Sequence, residues 1–285
     1  MIDFRYHAMS LAAVFVALTL GLLLGVTIGD TDLLTNVRGN IEDSLREDVN
    51  NARQESSEMK RRIEDQDEFI RVAYPQMVRG RLVGTRLGVI GSPGATRGVL
   101  ESVNRAVEPA GAQIGYTAEL VAKPQYAELA AALRIPEVIT ADAVTTKQTE
   151  RLGAAVGRRL ARGRERLVLR RLVFSRLSGS ISRVRQYAFA RQAPADLKEE
   201  SGSLYDAFQS GIVVGLSENS SRVVGIEATG ADPSNVSWYN DRGLSTVDDV
   251  ERYAGRYALV LVLAGAKGDY GYKDSADAPV PPVAP

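Results

Sequence analysis

Apolar and polar positions along this chain fall into three regimes. In the first, no ionised side chain occurs between Ala8 and Ile28. About 20 apolar residues suffice to cross a bilayer as a helix, so the run predicts a transmembrane helix over 8–28. A cleavable signal peptide is the competing reading. Its apolar core is usually roughly 7–15 residues long and leads to a small-residue cleavage site; Thr27-Ile28-Gly29 is a poor substitute for one. Arg5 and the amino terminus precede the span, while Asp30 and Asp32 follow it. The positive-inside bias therefore places residues 1–7 in the cytoplasm and the remainder outside the cell membrane.

Inside this run the smallest residues, Ala13, Ala17, Gly21, Gly25 and Gly29, recur at every fourth position and so share one helix face. Lipid supplies no hydrophobic drive between helices, and small residues allow the close backbone approach that must replace it. The ladder predicts a packing face for a second helix.

The second regime, 33–77, is charged and helix-friendly. Leu45, Ala52, Met59, Gln66 and Ala73 repeat every seven residues, and Val49, Ser56, Ile63, Ile70 and Met77 do so four residues later. Two interleaved heptad sets form the seam of a coiled-coil stalk. Leu34, Val37 and Ile41 continue the stripe upstream in a shifted phase, as a stutter does. A solitary amphipathic helix packed on the downstream domain is the alternative. Ladder and seam each ask for a partner helix, and together they predict a parallel homodimer, with Pro75 and Gly80 ending the stalk.

The third regime alternates strands and helices. TRLGVIGSPG reads as a strand entering a glycine turn, TRGVLESVNRAVEPAGA as a helix, and AQIGYTAEL as a parallel second strand. Residues 124–163 read as mainly helical, RVRQYAFARQ as a strand, 200–218 as a helix, SRVVGIEATG as a strand, 234–241 as a short helix and LSTVD as a last strand. YALVLVLAG is ambiguous: its β-branched content suggests a strand, whereas the alternation calls for a helix. The pattern predicts a three-layer α/β domain with a mostly parallel sheet, external and spanning 82–273. The tail 274–285, rich in Pro and Ala, reads as disordered.

Composition narrows the chemistry. The chain has 285 residues, 35 basic and 35 acidic, so no overall attraction to nucleic acid is implied. With no cysteine it has neither disulfides nor thiolate sites. Its one histidine, His7, lies at the membrane edge, which excludes a His-dependent triad from the external domain and points away from an enzyme. Gly91, Ser92 and Gly94 follow the first strand where a phosphate loop would sit, a candidate anion loop. Their G-x-x-G-x-x-x-G spacing departs from the dinucleotide fingerprint, and a plain strand-to-helix turn is the simpler reading. Eleven arginines and a single acid, Glu165, lie between Arg158 and Arg191, a basic face for head groups, wall polymers or an acidic partner, or else a solvated surface. Asp248, Asp249 and Glu251 read as a turn or cap rather than a metal site. Trp238 and Tyr239 read as packing residues.

Three stretches carry a resemblance: DFRYHAMSLAAVFVALTLGLLLGVTIGD, VVGIEATGADPS, and GLSTVDDVERYAGRYALVLVLAGAKGDYG with its proline-rich ending. Together they resemble the MctB-type family, the mycobacterial copper transport protein B family of actinobacterial envelope proteins. The resemblance implies a membrane-associated protein of copper transport or copper homeostasis. Copper(I) prefers thiolate, thioether or imidazole, and the soft side chains here are Met1, His7, Met9, Met59 and Met77. Met59 and Met77 occupy seam positions, where packing is their ordinary role. No family metal ligand maps onto this sequence, so no cofactor is assigned beyond the copper that the resemblance implies. The second expectation is a non-enzymatic dimeric scaffold, whose anchor and stalk present the α/β domain to a cell-envelope or cell-separation partner.

Overall fold

A computed structural model describes residues 4–28, 31–94, 96–135, 144–163, 167–192, 199–220 and 222–282. The chain forms two compact units, Met1–Gln66 and Asp67–Pro285. Met1 and Gly29 lie outside the described residues, as do 136–143, 164–166 and the side chains of Leu34, Val37 and Ile41.

In the first unit, helix α1 (Phe4–Ile28) contains an apolar span from His7 to Val26, long enough by length and composition to cross a membrane. Ala13, Ala17, Gly21 and Gly25 are all exposed on it, and a Cβ added at Gly21 or Gly25 would meet nothing within 4 Å. Helix α2 (Thr31–Val78) carries the heptad positions. Leu45, Val49, Met59 and Ile63 are exposed large hydrophobics, Ala52 is exposed and Ile70 is partly covered.

Pro75 does not end α2: the helix runs through it to Val78. An interior proline costs a helix about 3 kcal/mol through its missing N–H and ring clash. Tertiary anchoring of the last turns offsets that cost. Tyr74 and Val78 are buried, and the Tyr74 hydroxyl donates to the Ala106 carbonyl at 2.9 Å. These turns belong to the core of the second unit.

That unit is built on a seven-stranded sheet in the order β3-β2-β1-β4-β5-β6-β7. The strands are β1 (Arg86–Gly91), β2 (Gln113–Leu120), β3 (Phe174–Gly179), β4 (Gln186–Ala190), β5 (Arg222–Ile226), β6 (Ser245–Val247) and β7 (Asp269–Tyr270). Every pairing is parallel except β2 with β3. Successive side chains point to opposite faces of a strand, so each buried strand feeds two cores. Leu87, Val89, Ala188, Ala190, Val224 and Ile226 meet α3 (Thr96–Val107), α9 (Tyr253–Ala264) and the end of α2. Ile90, Tyr187, Phe189 and Val223 meet α4 (Tyr126–Leu133), α5 (Thr146–Ala161), α7 (Glu199–Ser217) and α8 (Val236–Asn240). This is the expected three-layer α/β arrangement.

YALVLVLAG resolves as helix α9, with residues 258–263 buried on all sides. A helix wrapped by core carries no polar stripe, which is why its pattern resembled a strand. Helix α6 (Leu167–Val173) and the antiparallel edge strand β3 are additions to the sequence reading, and LSTVD is not the last strand, since the two-residue β7, too short to leave a pattern, pairs with it. Part of the segment read as a disordered tail packs on the domain: Ala278 bridges Tyr270, the Gly271 N–H donates to the Ala278 carbonyl at 3.0 Å, and Pro281 is buried.

Helices α5 and α7 lie parallel and unusually close. Gly153 and Gly157 on one face Gly211 and Gly215 on the other, so two G-x-x-x-G pairs interlock. An added Cβ would stand 2.1 Å from the Phe208 carbonyl oxygen at Gly153 and 2.0 Å from that of Glu150 at Gly211. Backbone meets backbone here, and any side chain larger than hydrogen would part the helices.

Candidate functional site at the carboxyl edge of the sheet

The chain leaves β1 toward β2 on one side and returns to pair β1 with β4 on the other. In open α/β sheets, such a reversal places a crevice outside the strand ends where ligands commonly bind. Gly91 and Ser92 leave β1 at this point, and Arg191 leaves β4.

The protein's own side chains fill the crevice. Ser92 is fully buried, its N–H donates to the Ala190 carbonyl at 2.9 Å, and its hydroxyl accepts from Gln209 Nε2 at 2.8 Å. Gly94 is exposed with φ +83°. Ser92 therefore faces inward rather than toward an anion in solvent. Tyr205 is buried beside it, and burial pushes its phenol up to about 12. Tyr239, from α8, reaches the gap between β4 and β5. Its hydroxyl lies 2.9 Å from the Phe189 carbonyl and 3.1 Å from that of Ile226, and accepts the Arg191 N–H at 2.7 Å. Its ring lies on Gly225, where an added Cβ would come within 2.4 Å.

From there a polar network runs along the strand ends. The Arg191 guanidinium donates to Asn235 and Asp206. Arg242 approaches Asp206 at 3.7 Å, and Trp238 Nε1 donates to the same carboxylate at 2.8 Å. Both guanidinium groups also lie against the Trp238 ring, at 4.7 Å for Arg191 and 3.8 Å for Arg242. Burial lowers the Arg242 pKa, and Asp206 opposes the shift. Asn235 continues the chain by donating its N–H to Glu227 at 2.7 Å; Glu227 also accepts from Ser234 at 2.8 Å and Lys273 Nζ at 2.6 Å.

The acids after β6 are committed in the same way. Asp248 accepts from the Tyr272 N–H at 2.8 Å and the Lys273 N–H at 3.1 Å. Burial raises its pKa, while those two donors pull the other way. Asp249 pairs with Arg252 at 3.2 Å and accepts from the Thr229 hydroxyl, and Glu251 accepts the Thr229 N–H at 3.0 Å. They behave as loop clamps, and among the described residues no group of three or more His, Cys, Asp or Glu could hold a metal ion. A groove of about 630 Å³ opens beside the network, lined in part by Lys147, Glu150, Asp206, Ser210 and Arg242.

The described arginines of the basic stretch divide between paired and exposed positions. Arg158 pairs with Glu218 at 3.3 Å, Arg162 donates to Asn219 at 3.2 Å, and Arg191 serves the network. Arg171, Arg176, Arg183 and Arg185 are exposed, and Arg164, Glu165 and Arg166 lie outside the described residues. Of the soft candidates, His7 and Met9 are exposed on α1, and Met59 and Met77 on α2.

Two stretches that carried the family resemblance thus meet at this edge. VVGIEATGADPS supplies Glu227 and Thr229, while the C-terminal stretch supplies Asp248, Asp249 and Glu251. Residues 1–281 match the family described as copper transport outer membrane protein, MctB. The chain belongs to the MctB family. No curated protein matches it. The family description names transport rather than catalysis, and the match covers the apolar helix, the long charged helix and the α/β domain together. Sequence reasoning singled out the acids and Trp238 one by one but missed the Arg191–Asp206–Asn235–Glu227–Lys273 chain that joins them. Its members are scattered in sequence, and only the strand order brings them together.

Proposed function

We propose that this MctB-family chain is a single-pass, non-enzymatic envelope protein that serves copper transport or copper homeostasis. The family match over residues 1–281 carries this reading. In it, α1 anchors the chain with residues 1–7 in the cytoplasm, and α2 joins a second copy as a parallel coiled-coil stalk. The domain, spanning about 67–282 once the last turns of α2 are included, acts outside the cell membrane.

A second reading, in which the domain is a scaffold for an envelope partner rather than a copper ligand, draws on one observation. Cys is absent from the chain, and neither His nor Met occurs after Met77. Copper(I) has no soft side chain to choose there. The two readings combine if copper homeostasis depends on what the protein assembles with. The ladder Ala13, Ala17, Gly21, Gly25 and Gly29 and the seam Leu45, Val49, Ala52, Met59, Ile63 and Ile70 then serve assembly.

Single-cysteine variants at Gly25 and Ile63, oxidised in membranes, test the dimer. Symmetric crosslinks are expected at both positions, and a monomer at micromolar concentration in mild detergent would sink it. Deletion of the gene with readout of copper sensitivity tests the physiological role. Unchanged copper tolerance and content in the deletion strain would remove it.

A further inference from the structure

Strand β3 closes one side of the sheet and pairs only with β2, so that among the described residues its outer edge has no ladder partner. Antiparallel ladders alternate inward and outward main-chain groups. The Ser180 N–H donates inward to the Gly115 carbonyl at 2.9 Å, which turns the main chain of Gly179 and Leu177 outward. Consistent with that direction, the Leu177 carbonyl accepts from Arg170 Nη2 at 3.3 Å, a contact that an arriving N–H can replace. Beside the strand lies a groove of about 230 Å³, lined by Leu100, Thr117, Glu119, Arg176 and Ser178.

The charged side chains that α6 and β3 contribute are all basic. From Arg170 through Gly179, which covers most of α6 and all of β3, no Asp or Glu occurs, and Arg171 and Arg176 are exposed. Glu119 on the neighbouring β2 sits 3.6 Å from Arg176, whose side chain remains 72% exposed. Two β3 edges brought together would juxtapose like charges, which disfavours self-pairing. An acidic strand meets no such penalty.

We infer that β3 is a docking strand that takes up an extended, acidic segment of a partner protein by strand addition. Main-chain hydrogen bonds to Leu177 and Gly179 supply the register, and alternate acidic side chains meet Arg176 and its neighbours. This deepens the scaffold reading by naming the partner's chemistry, and it rests on that reading. Its test reads peptide binding, so it can fail without touching the copper or dimer experiments.

The test uses the full chain in mild detergent and a fluorescent eight-residue peptide alternating Val and Glu, followed by anisotropy. Saturable binding is expected, weakening as salt rises. It should fall about tenfold or more when alternate peptide N–H groups are methylated, and by a similar factor in the Arg171→Glu/Arg176→Glu variant, since tenfold corresponds to about 1.4 kcal/mol. Circular dichroism of the variant confirms that it is folded. Equal binding of the methylated peptide, or of polyglutamate or polyphosphate of the same charge, would overturn strand addition in favour of plain anion attraction. Absence of binding by the alternating peptide would overturn it as well.

Discussion

Replacing Gly211 with Ala should destabilise the domain, although alanine is the better helix former. In a helix interior Ala is favoured over Gly by about 0.8–1.0 kcal/mol. Against this, the new Cβ would lie 2.0 Å from the Glu150 oxygen, 2.8 Å from the Ala154 nitrogen and 2.9 Å from the Glu150 carbonyl carbon. Even a tight 3.0 Å contact requires the helices to part by about 1 Å (3.0 − 2.0), and every atom in the way is backbone. Overpacking costs typically ~1–3 kcal/mol, and more where nothing flexible can yield. With only backbone in the way the cost lies at the upper end of that range, so the net loss is about 2 kcal/mol (3 − 1). Gly202 lies in the same helix with nothing within 4 Å of its added Cβ, so Gly202→Ala should be neutral or stabilising, by up to about 1 kcal/mol. Trp238 is the sole tryptophan, and its ring lies against Arg191, Arg242 and Phe189, so its fluorescence reports unfolding in urea directly. If Gly211→Ala raises the urea midpoint as Gly202→Ala does, the helices are not in backbone contact and the packing described above is wrong.

Three further outcomes follow from the domain. A fragment beginning at Asp67 should unfold cooperatively and at higher temperature than one beginning at Leu82, because the shorter piece lacks Tyr74 and Val78; equal melting temperatures would place the boundary after Gly80. Lys273→Met should cost toward the lower end of ~3–5 kcal/mol, since it leaves the buried Glu227 without its cation but with its Ser234 and Asn235 donors; a loss below about 1 kcal/mol in urea unfolding contradicts the network. Burial pushes the Tyr187 and Tyr205 phenols up to about 12. The unfolded chain releases these protons near pH 10, so their contribution to stability is intact below that pH and lost between 10 and 12. An ultraviolet titration in which every tyrosine ionises near pH 10 without unfolding would refute that environment.

The sequence carried the order of elements well because the buried strands and amphipathic helices write their periods into it. VVGIEATG and LSTVD are short apolar runs bounded by turns, and both became parallel strands. Strand β3 was not legible: FSRLSG is an edge with one buried residue, so almost no apolar signal marks it. Pro75 stands inside the last turn of α2, which ends at Val78, one residue past the expected stalk. A local rule for helix ends was overridden by the burial of Tyr74 and Val78, a tertiary effect invisible in a window of sequence. The G-x-x-x-G pairs of α5 and α7 are visible as spacing, but outside an apolar span that spacing does not by itself name a partner helix.

At the candidate site, single residues were legible and their connection was not. Gly91, Ser92 and Gly94 offered a candidate anion loop beside the simpler reading of a strand-to-helix turn, because they follow β1 where phosphate loops sit. The inward orientation of Ser92 follows from Gln209, more than a hundred residues away in sequence. Asp248 and Asp249 lie directly after a strand end, and there they accept from the Tyr272 and Lys273 N–H groups and pair with Arg252.

The central claim is that this MctB-family protein serves copper handling through assembly rather than through ligation in its domain. The direct measurement is copper(I) titration of the full chain in mild detergent under reducing conditions, with His7, Met9, Met59 and Met77 all replaced by Ala. The account predicts no saturable one-to-one binding above that of a generic protein surface, because no soft side chain remains outside Met1. Tight one-to-one binding by this variant would contradict it and place a copper site within the α/β domain.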